Sequence, residues 1–141
     1  MKNKPLISIA ILTYNRVADL EKLLNNLLPQ VKELVGLVDV CISNNASTDN
    51  TREVVANAQQ KYPGLITYHE NEKNLGVDKN IIKVMEMATG EFIWGFADDD
   101  LIIPGGIKEV VDFIKGIDKK NTGLIVLRSE SYVIDQKTGK K

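Results

Sequence analysis

Three consecutive aspartates, Asp98, Asp99 and Asp100, are the residues whose types and spacing point most directly to chemistry. They follow an apolar run that ends at Ala97, and no histidine or cysteine lies near them in sequence. Adjacent carboxylates repel one another unless a cation compensates their charge, and oxygen ligands suit a hard ion such as Mg²⁺ or Mn²⁺. The cluster therefore indicates a divalent metal site. The competing interpretation is a solvated acidic turn before the helix that starts near Gly105, where the helix dipole favours carboxylates.

The absence of other phosphate-binding motifs bears on this metal site. Mg²⁺ usually keeps several waters and uses one or two carboxylates together with substrate phosphates. The sequence has neither the Gly-x-x-x-x-Gly-Lys-[Ser/Thr] pattern of a P-loop nor a Gly-x-Gly-x-x-Gly turn after its first strand. A bound diphosphate would therefore have to be neutralised by a metal ion, for which the aspartates are the only candidate ligands.

Alternating strands and helices must position this cluster. Five short, nearly continuous apolar runs predict buried strands, at residues 6–12, 38–42, 65–68, 91–96 and 124–134. The stretches between them carry the spacing of amphipathic helices, at residues 20–28, 54–58, 81–88 and 107–114. Asn15 is the predicted N-cap of the first helix, and Pro29 and Gly90 mark the predicted ends of the first and third. The alternation predicts an α/β fold with a mostly parallel sheet and helices on both faces.

Polar residues that follow the strands are the next candidates, because ligands bind at the carboxyl ends of the strands in such sheets. Asp78 stands at the start of the third helix, and two interpretations of it stay open: a cap of that helix, or a contact to the ligand. The polar residues after the first and second strands are Thr13, Tyr14, Asn15, Asn44 and Asn45.

Length and charge bound the class of protein. The 141 residues fit one domain over 1–141, with a polar tail at 136–141 that we expect to fray. The 18 Lys and Arg residues nearly balance the 19 Asp and Glu residues, so no global field attracts nucleic acid. A single cysteine excludes an internal disulfide, and no apolar stretch reaches the roughly 18–20 residues of a membrane span. These features favour a cytoplasmic protein, whose lysines within 115–120 are the candidates for peripheral contact with the inner face of a membrane.

Four segments of the chain, in order, resemble a known family, the family 2 glycosyltransferases with the GT-A fold. Residues 7–16 are similar to its opening strand and Tyr-Asn-Arg turn, and residues 40–51 to its second-strand signature. Residues 74–80 resemble its Asn-x-Gly…Asn segment, and residues 88–93 its Ala-x-Gly-Glu-Tyr-Ile run into the metal motif. The resemblance covers residues 6–115.

The resemblance implies a Rossmann-like nucleotide-diphospho-sugar transferase fold. It also implies inverting transfer of a sugar from a nucleoside-diphosphate sugar to a glycan or lipid-linked acceptor, as in surface polysaccharide or lipopolysaccharide synthesis. In this interpretation Asp99 and Asp100 hold Mg²⁺ or Mn²⁺. The residues expected to bind the nucleotide sugar are Thr13, Tyr14, Asn15, Asn44, Asn45, Asp78 and Asp98.

Two departures from the family pattern carry predictions. Ala97 takes the first position of the commonest Asp-x-Asp-Asp motif, and the three-aspartate variant resembles a subset that includes deoxysugar transferases. Asn44 and Asn45 stand where at least one aspartate, which reads uracil, is usual. Because an amide can accept or donate a hydrogen bond, we predict that donor choice is not restricted to uridine nucleotides.

The length of the chain after the aspartates helps to distinguish the candidate functions. Inverting transfer needs a general base, which in the family lies in the second half of the domain, beyond the metal motif. Here only residues 101–141 follow the aspartates, and no acidic residue among them matches the family's base motif. We therefore expect a truncated donor-binding unit that transfers sugar poorly or not at all. A non-catalytic nucleotide- or glycan-binding module stays open, as does a receiver-like phosphorylation domain, although the latter needs acidic residues just after the first strand.

Overall fold

A computed structural model describes residues 4–125 of the chain. Apart from Leu124 and Ile125, the predicted last strand and the polar tail lie outside the described residues. The other predicted elements are present and alternate from strand to helix. Their bounds are β1 Ile7–Thr13, α1 Val17–Lys32, β2 Val38–Asn44, α2 Thr51–Lys61, β3 Ile66–Glu70, α3 Val77–Met87, β4 Phe92–Ala97 and α4 Gly106–Gly116.

The described strands form one parallel sheet in the order β3-β2-β1-β4. The register pairs Thr13 with Asn44 and Leu12 with Ala97, so the last residues of β1, β2 and β4 lie side by side. Glu70 at the end of β3 pairs with Asn44. The loops that carry the candidate residues therefore open on one edge of the sheet, which we call the rim.

The main core lies on the face of the sheet that α1, α2 and α4 cover. Every second residue of β1 points into it, and each predicted leucine of the first helix is buried there. Burying one such side chain stabilises the fold by about 1.5–3 kcal/mol. The opposite face carries α3, which packs Val84 against Ala10 and Cys41. Helices therefore lie on both faces, as the alternation predicts.

Three predictions about helix ends are wrong. Asn15 does not cap α1, which begins at Val17, because the chain takes a left-handed turn at Asn15 (φ 50°). Pro29 does not end α1, which continues to Lys32, since the extra turn buries Val31 completely. Gly90 does not end α3, which stops at Met87. A Cβ at Gly90 would lie 2.8 Å from the carbonyl carbon of Ile7, so this glycine permits a close approach to β1 instead.

The apolar stripe predicted for the third helix is also not its buried face. Ile81, Ile82 and Met85 are exposed, and the buried residues of α3 are Asn80 and Val84. The reason is that α3 is attached to the sheet by the polar side chain of Asn80, which turns the stripe outward. Within residues 4–125, no helix is long and apolar enough to cross a membrane.

Candidate functional site at the rim of the sheet

Asn15 joins the first two rim loops to each other. Its backbone N–H donates to Ser47 Oγ (2.9 Å), and its Oδ1 accepts from the backbone N–H (2.7 Å) and hydroxyl (3.3 Å) of Thr48. Asparagine is one of the few residues that adopts the left-handed conformation found here. The amide oxygen of Asn15, a predicted ligand-binding residue, is thus hydrogen-bonded to the loop that follows β2.

Asp49 stabilises the starts of two helices from that same loop. Its Oδ2 accepts from Val17 N at the start of α1 (3.0 Å), and its Oδ1 accepts from the backbone and hydroxyl of Thr51 in α2 (3.1 and 2.6 Å). Partial burial opposes ionisation of Asp49, but these hydrogen bonds outweigh it and hold its pKa below the ordinary value. The polar residues 47–49 are of types suited to cap α2, whereas for α1 the sequence predicts Asn15, and not Asp49, as the cap.

Asp98 is the buried member of the aspartate cluster. Thr13 Oγ1 donates to its Oδ2 (3.0 Å), and the Arg16 guanidinium lies 3.0 Å from its Oδ1. Only 5% of the residue is exposed, and this burial raises its pKa although Thr13 and Arg16 favour the charged form. Asp98 therefore sits against the end of β1 rather than projecting into solvent.

Arg16 contacts the aspartate cluster, a role that its position in the Tyr-Asn-Arg motif did not predict. Besides Asp98, its guanidinium contacts Asp99 Oδ2 (3.0 Å) and Asp19 Oδ2 (3.1 Å). The hydrogen bond to Asp99, with the charge of Asp98, raises the pKa of Arg16 above its already high value. No sequence periodicity pairs an arginine with an aspartate that lies 83 residues further along the chain.

The predicted metal ligands Asp99 and Asp100 have different hydrogen-bond partners. The Asp99 side chain is half exposed, whereas Asp100 Oδ2 accepts from Ala97 N (2.8 Å) and closes the turn after β4. Within the described part of the chain, no three His, Cys, Asp or Glu side chains converge on a common point. The donor chemistry still fits Mg²⁺ or Mn²⁺, because one or two carboxylates complete such a site when a diphosphate supplies the other oxygens.

Asn44 and Asn45 are buried, and both amides are hydrogen-bonded within the protein. Asn44 accepts from Ser47 N (2.9 Å) and donates to Tyr68 Oη (2.8 Å). Asn45 donates to Asn74 Oδ1 (2.8 Å) and accepts from Leu75 N (2.9 Å). These two residues hold the rim loops in place, and neither presents a free amide to solvent.

Asn71 and Asn80 extend this amide network beneath the rim. Asn71 Nδ2 donates to both Asn45 Oδ1 and Asn80 Oδ1 (3.0 Å each), and Asn80 accepts from Ser43 Oγ (2.7 Å). Asn80 Nδ2 in turn donates a hydrogen bond to the Ser43 carbonyl (3.1 Å). The network attaches α3 to the end of β2, and the clustering of asparagines after strands was the available sequence signal.

Tyr14 and Asp78 remain accessible. The side chain of Tyr14 is exposed beside Thr13, at the carboxyl end of β1. Asp78 lies exposed in the first turn of α3, whose N-cap residue is Gly76 and whose cap has no side-chain hydrogen bond. The capping interpretation of Asp78 is therefore wrong, and its contact to a ligand stays a prediction.

A parallel α/β sheet with an acidic residue cluster and hydrogen-bonded polar loops at its carboxyl edge has the arrangement with which α/β domains bind ligands. Comparison with known proteins identifies the class further. Residues 8–135 match the family model described as glycosyl transferase family 2. The chain belongs to this family, as its sequence resemblance indicates.

Relatives and solved structures agree with this assignment. The chain is 36% identical over 124 residues to the abequosyltransferase RfbV of Salmonella typhimurium, which covers 84% of this chain and 37% of the relative. It is 27% identical over 108 residues to the GalNAc(5)-diNAcBac-PP-undecaprenol beta-1,3-glucosyltransferase of Campylobacter jejuni, covering 76% of this chain and 34% of the relative. The chain thus spans about a third of the length of these relatives.

Two solved structures resemble the fold. The Pyrobaculum calidifontis mannosyltransferase PcManGT, in complex with GDP-Man and Mn²⁺, matches with a TM-score of 0.63 and 25% identity over 72% of this chain and 29% of its own. S. aureus TarS 1-349 in complex with UDP matches with a TM-score of 0.63 and 26% identity over 77% of this chain and 32% of its own. The GT-A fold expected from the sequence is therefore confirmed.

Proposed function

We propose that this chain is the donor-binding part of an inverting glycosyltransferase. The enzyme transfers a sugar from a nucleoside-diphosphate sugar to a glycan or lipid-linked acceptor in the synthesis of surface polysaccharide or lipopolysaccharide. The observation that carries the proposal is the meeting of Thr13, Arg16, Asp98 and Asp99 at the carboxyl ends of β1 and β4. The name of the Campylobacter relative, which includes an undecaprenol-linked glycan, supports the acceptor class, and the name of the Salmonella relative supports sugar transfer.

The side chains at the rim have different roles in binding the donor. Thr13 and Arg16 hold Asp98, while the exposed ring of Tyr14 offers a surface on which a nucleobase can stack. Asp99 and Asp100 are the residues that would hold Mg²⁺ or Mn²⁺. When bound, such an ion stabilises the negative charge that develops on a leaving diphosphate.

The general base lies outside this chain in our proposal, so the chain binds donor without efficient transfer. Asp112 of α4 supports this, because it is engaged by Lys108 on the exposed surface of the helix. A cytoplasmic location at the inner face of a membrane follows from a lipid-linked acceptor. The second candidate, a nucleotide-binding module without catalysis, is favoured by the engagement of Asp98 and Asp99 with Arg16.

Calorimetric titration with UDP, GDP, CDP and dTDP, each with and without Mn²⁺, tests the proposal. At least one nucleotide should bind in a Mn²⁺-dependent manner, and the double variant Asp99→Asn, Asp100→Asn should lose that dependence. Asparagine keeps an oxygen for the Ala97 N–H, so the turn is preserved. Glu91→Gln, which removes an exposed carboxylate just before β4 at the opposite end of the sheet, is the matched control. Equal binding by the double variant and the control would contradict the metal site.

The same titration addresses the choice of donor. Because the amides of Asn44 and Asn45 are bonded within the protein, we propose that they do not select uracil, and that nucleotides other than UDP bind. Binding of UDP alone among the four nucleotides would contradict this part of the proposal. A radiolabelled-sugar transfer assay separates the candidates: strong turnover by this chain would show that it contains its own base.

A further inference from the structure

Arg16 places a permanent positive charge between two of the three aspartates. One terminal nitrogen lies 3.0 Å from Asp98 Oδ1, and the other lies 3.0 Å from Asp99 Oδ2. Arg16 comes from the loop after β1, whereas both carboxylates come from the end of β4. A guanidinium is planar and stays charged at every accessible pH, so it bridges two carboxylates as a cation of fixed geometry.

The two ends of this bridge differ in their surroundings. Asp98 is buried, and a buried carboxylate loses stability with each partner removed, so the Arg16–Asp98 contact stabilises the fold together with the Thr13 hydroxyl. Asp99 and the Arg16 side chain are 51% and 45% exposed, and an ion pair between such exposed groups contributes little to stability. The Arg16–Asp99 contact can therefore be exchanged for another cation far more easily than the contact to Asp98.

We propose that Arg16 is the internal counter-ion of the site: it balances Asp99 while no divalent ion is bound and leaves Asp99 when one binds. This inference rests on the proposed function, in which Asp99 is a metal ligand. Two cations cannot share one carboxylate without mutual repulsion, so Arg16 lowers the affinity of the chain for free metal. The guanidinium released from Asp99 is then able to meet a diphosphate oxygen, a partner whose geometry it matches.

The arrangement makes metal binding depend on the nucleotide. A diphosphate that attracts the released Arg16 removes the competitor of the metal ion, so each ligand raises the affinity for the other. Arg16 is thus a positioning residue for donor loading. Asp19, which contacts the same guanidinium at 3.1 Å, keeps Arg16 near the rim after its release.

Mn²⁺ binding followed by electron paramagnetic resonance tests this role directly, because free Mn²⁺ loses its signal when it binds. Arg16→Gln should bind Mn²⁺ alone about 1.5-fold to fivefold more tightly than the wild type, as expected for removal of one exposed ion pair. The gain in Mn²⁺ affinity on adding saturating UDP or GDP should shrink by a similar factor. Lys119→Gln is the control, since it also removes one positive charge from an exposed ion pair, with Glu91.

The outcomes separate this inference from the proposed function. If wild type binds Mn²⁺ with nucleotide, and Arg16→Gln binds Mn²⁺ alone no more tightly than wild type does, the counter-ion role is wrong while the donor site stands. If no variant binds Mn²⁺ with any nucleotide, both proposals fail. Arg16→Lys tests the same role if the glutamine variant does not fold. One ammonium cannot bridge both carboxylates, so the lysine variant should still bind Mn²⁺ about twofold more tightly than wild type. Unchanged binding by a folded lysine variant would overturn the inference.

Discussion

The hydroxyl of Thr13 donates a hydrogen bond to the carboxylate of Asp98 across 3.0 Å, although 85 residues separate the two in sequence. Thr13 is the last residue of β1, and Asp98 directly follows β4, the parallel neighbour of β1. The bond therefore ties the aspartate cluster to the centre of the sheet. It also supplies one of the partners that allow a carboxylate to be buried there.

Thr13→Val tests this bond, because valine keeps the shape of threonine and removes its hydroxyl. We expect a loss of about 1–3 kcal/mol in the free energy of unfolding, since the buried carboxylate of Asp98 loses a donor. Urea denaturation followed by circular dichroism measures it. Thr67→Val, at an exposed position of β3, should change stability by less than about 0.5 kcal/mol. Equal effects of the two substitutions would argue against a special role for Thr13.

Asp49→Asn tests whether Asp49 stabilises the starts of both α1 and α2, and how this stabilisation depends on pH. The pKa of Asp49 is lowered in the folded protein, so the unfolded chain takes up the proton first and acid favours unfolding. The stabilisation by this carboxylate is present at pH values above its ordinary pKa of 3.8 and is lost as the pH falls through the lowered value.

We expect Asp49→Asn to be about 1–2 kcal/mol less stable than wild type at pH 7, as for the loss of a helix cap. The difference should narrow below pH 4. Denaturant unfolding at several pH values between 3 and 7 gives the difference directly. A gap that stays constant over this range would show that the charge of Asp49 contributes nothing.

Asn80→Ala tests the amide network that attaches α3 to β2. The substitution leaves the buried Ser43 hydroxyl without its acceptor and removes one of the two acceptors of the Asn71 amide. We expect destabilisation by about 2–3 kcal/mol. The control is Asn25→Ala at an exposed position of α1, which should be neutral or slightly stabilising because alanine favours helices. If the network stabilises the fold, thermal unfolding should give Asn80→Ala a much lower Tm than Asn25→Ala.

Gly90→Ala tests the close approach of the chain to β1. A Cβ at Gly90 would lie 2.8 Å from the carbonyl carbon of Ile7, and the backbone must shift to admit it. We expect a loss of about 1–3 kcal/mol. Gly95→Ala in β4 is the matched control, because a Cβ there meets no atom within 4 Å. Similar stability of the two alanine variants would mean that the chain at Gly90 relaxes freely.

The sequence by itself was sufficient to predict the order of elements and the polar rim. Apolar runs such as that of β1 and the leucine stripe of α1 reflect which side chains must be buried, and this periodicity is a local property. Parallel strands end at one edge of their sheet, so the residues after β1, β2 and β4 could be assigned to one site without coordinates. The family followed from four sequence segments that occur in the order typical of it.

Only the tertiary structure decided what each rim residue contacts. Arg16 meets Asp98 and Asp99, and Asn45 meets Asn71, because the packed sheet brings together loops that are distant in sequence. The buried face of α3 was decided in the same way, by the bonds of Asn80 to Ser43 rather than by the apolar stripe of the helix. Side-chain pairing depends on distances across the sheet, and local periodicity contains no information about those distances.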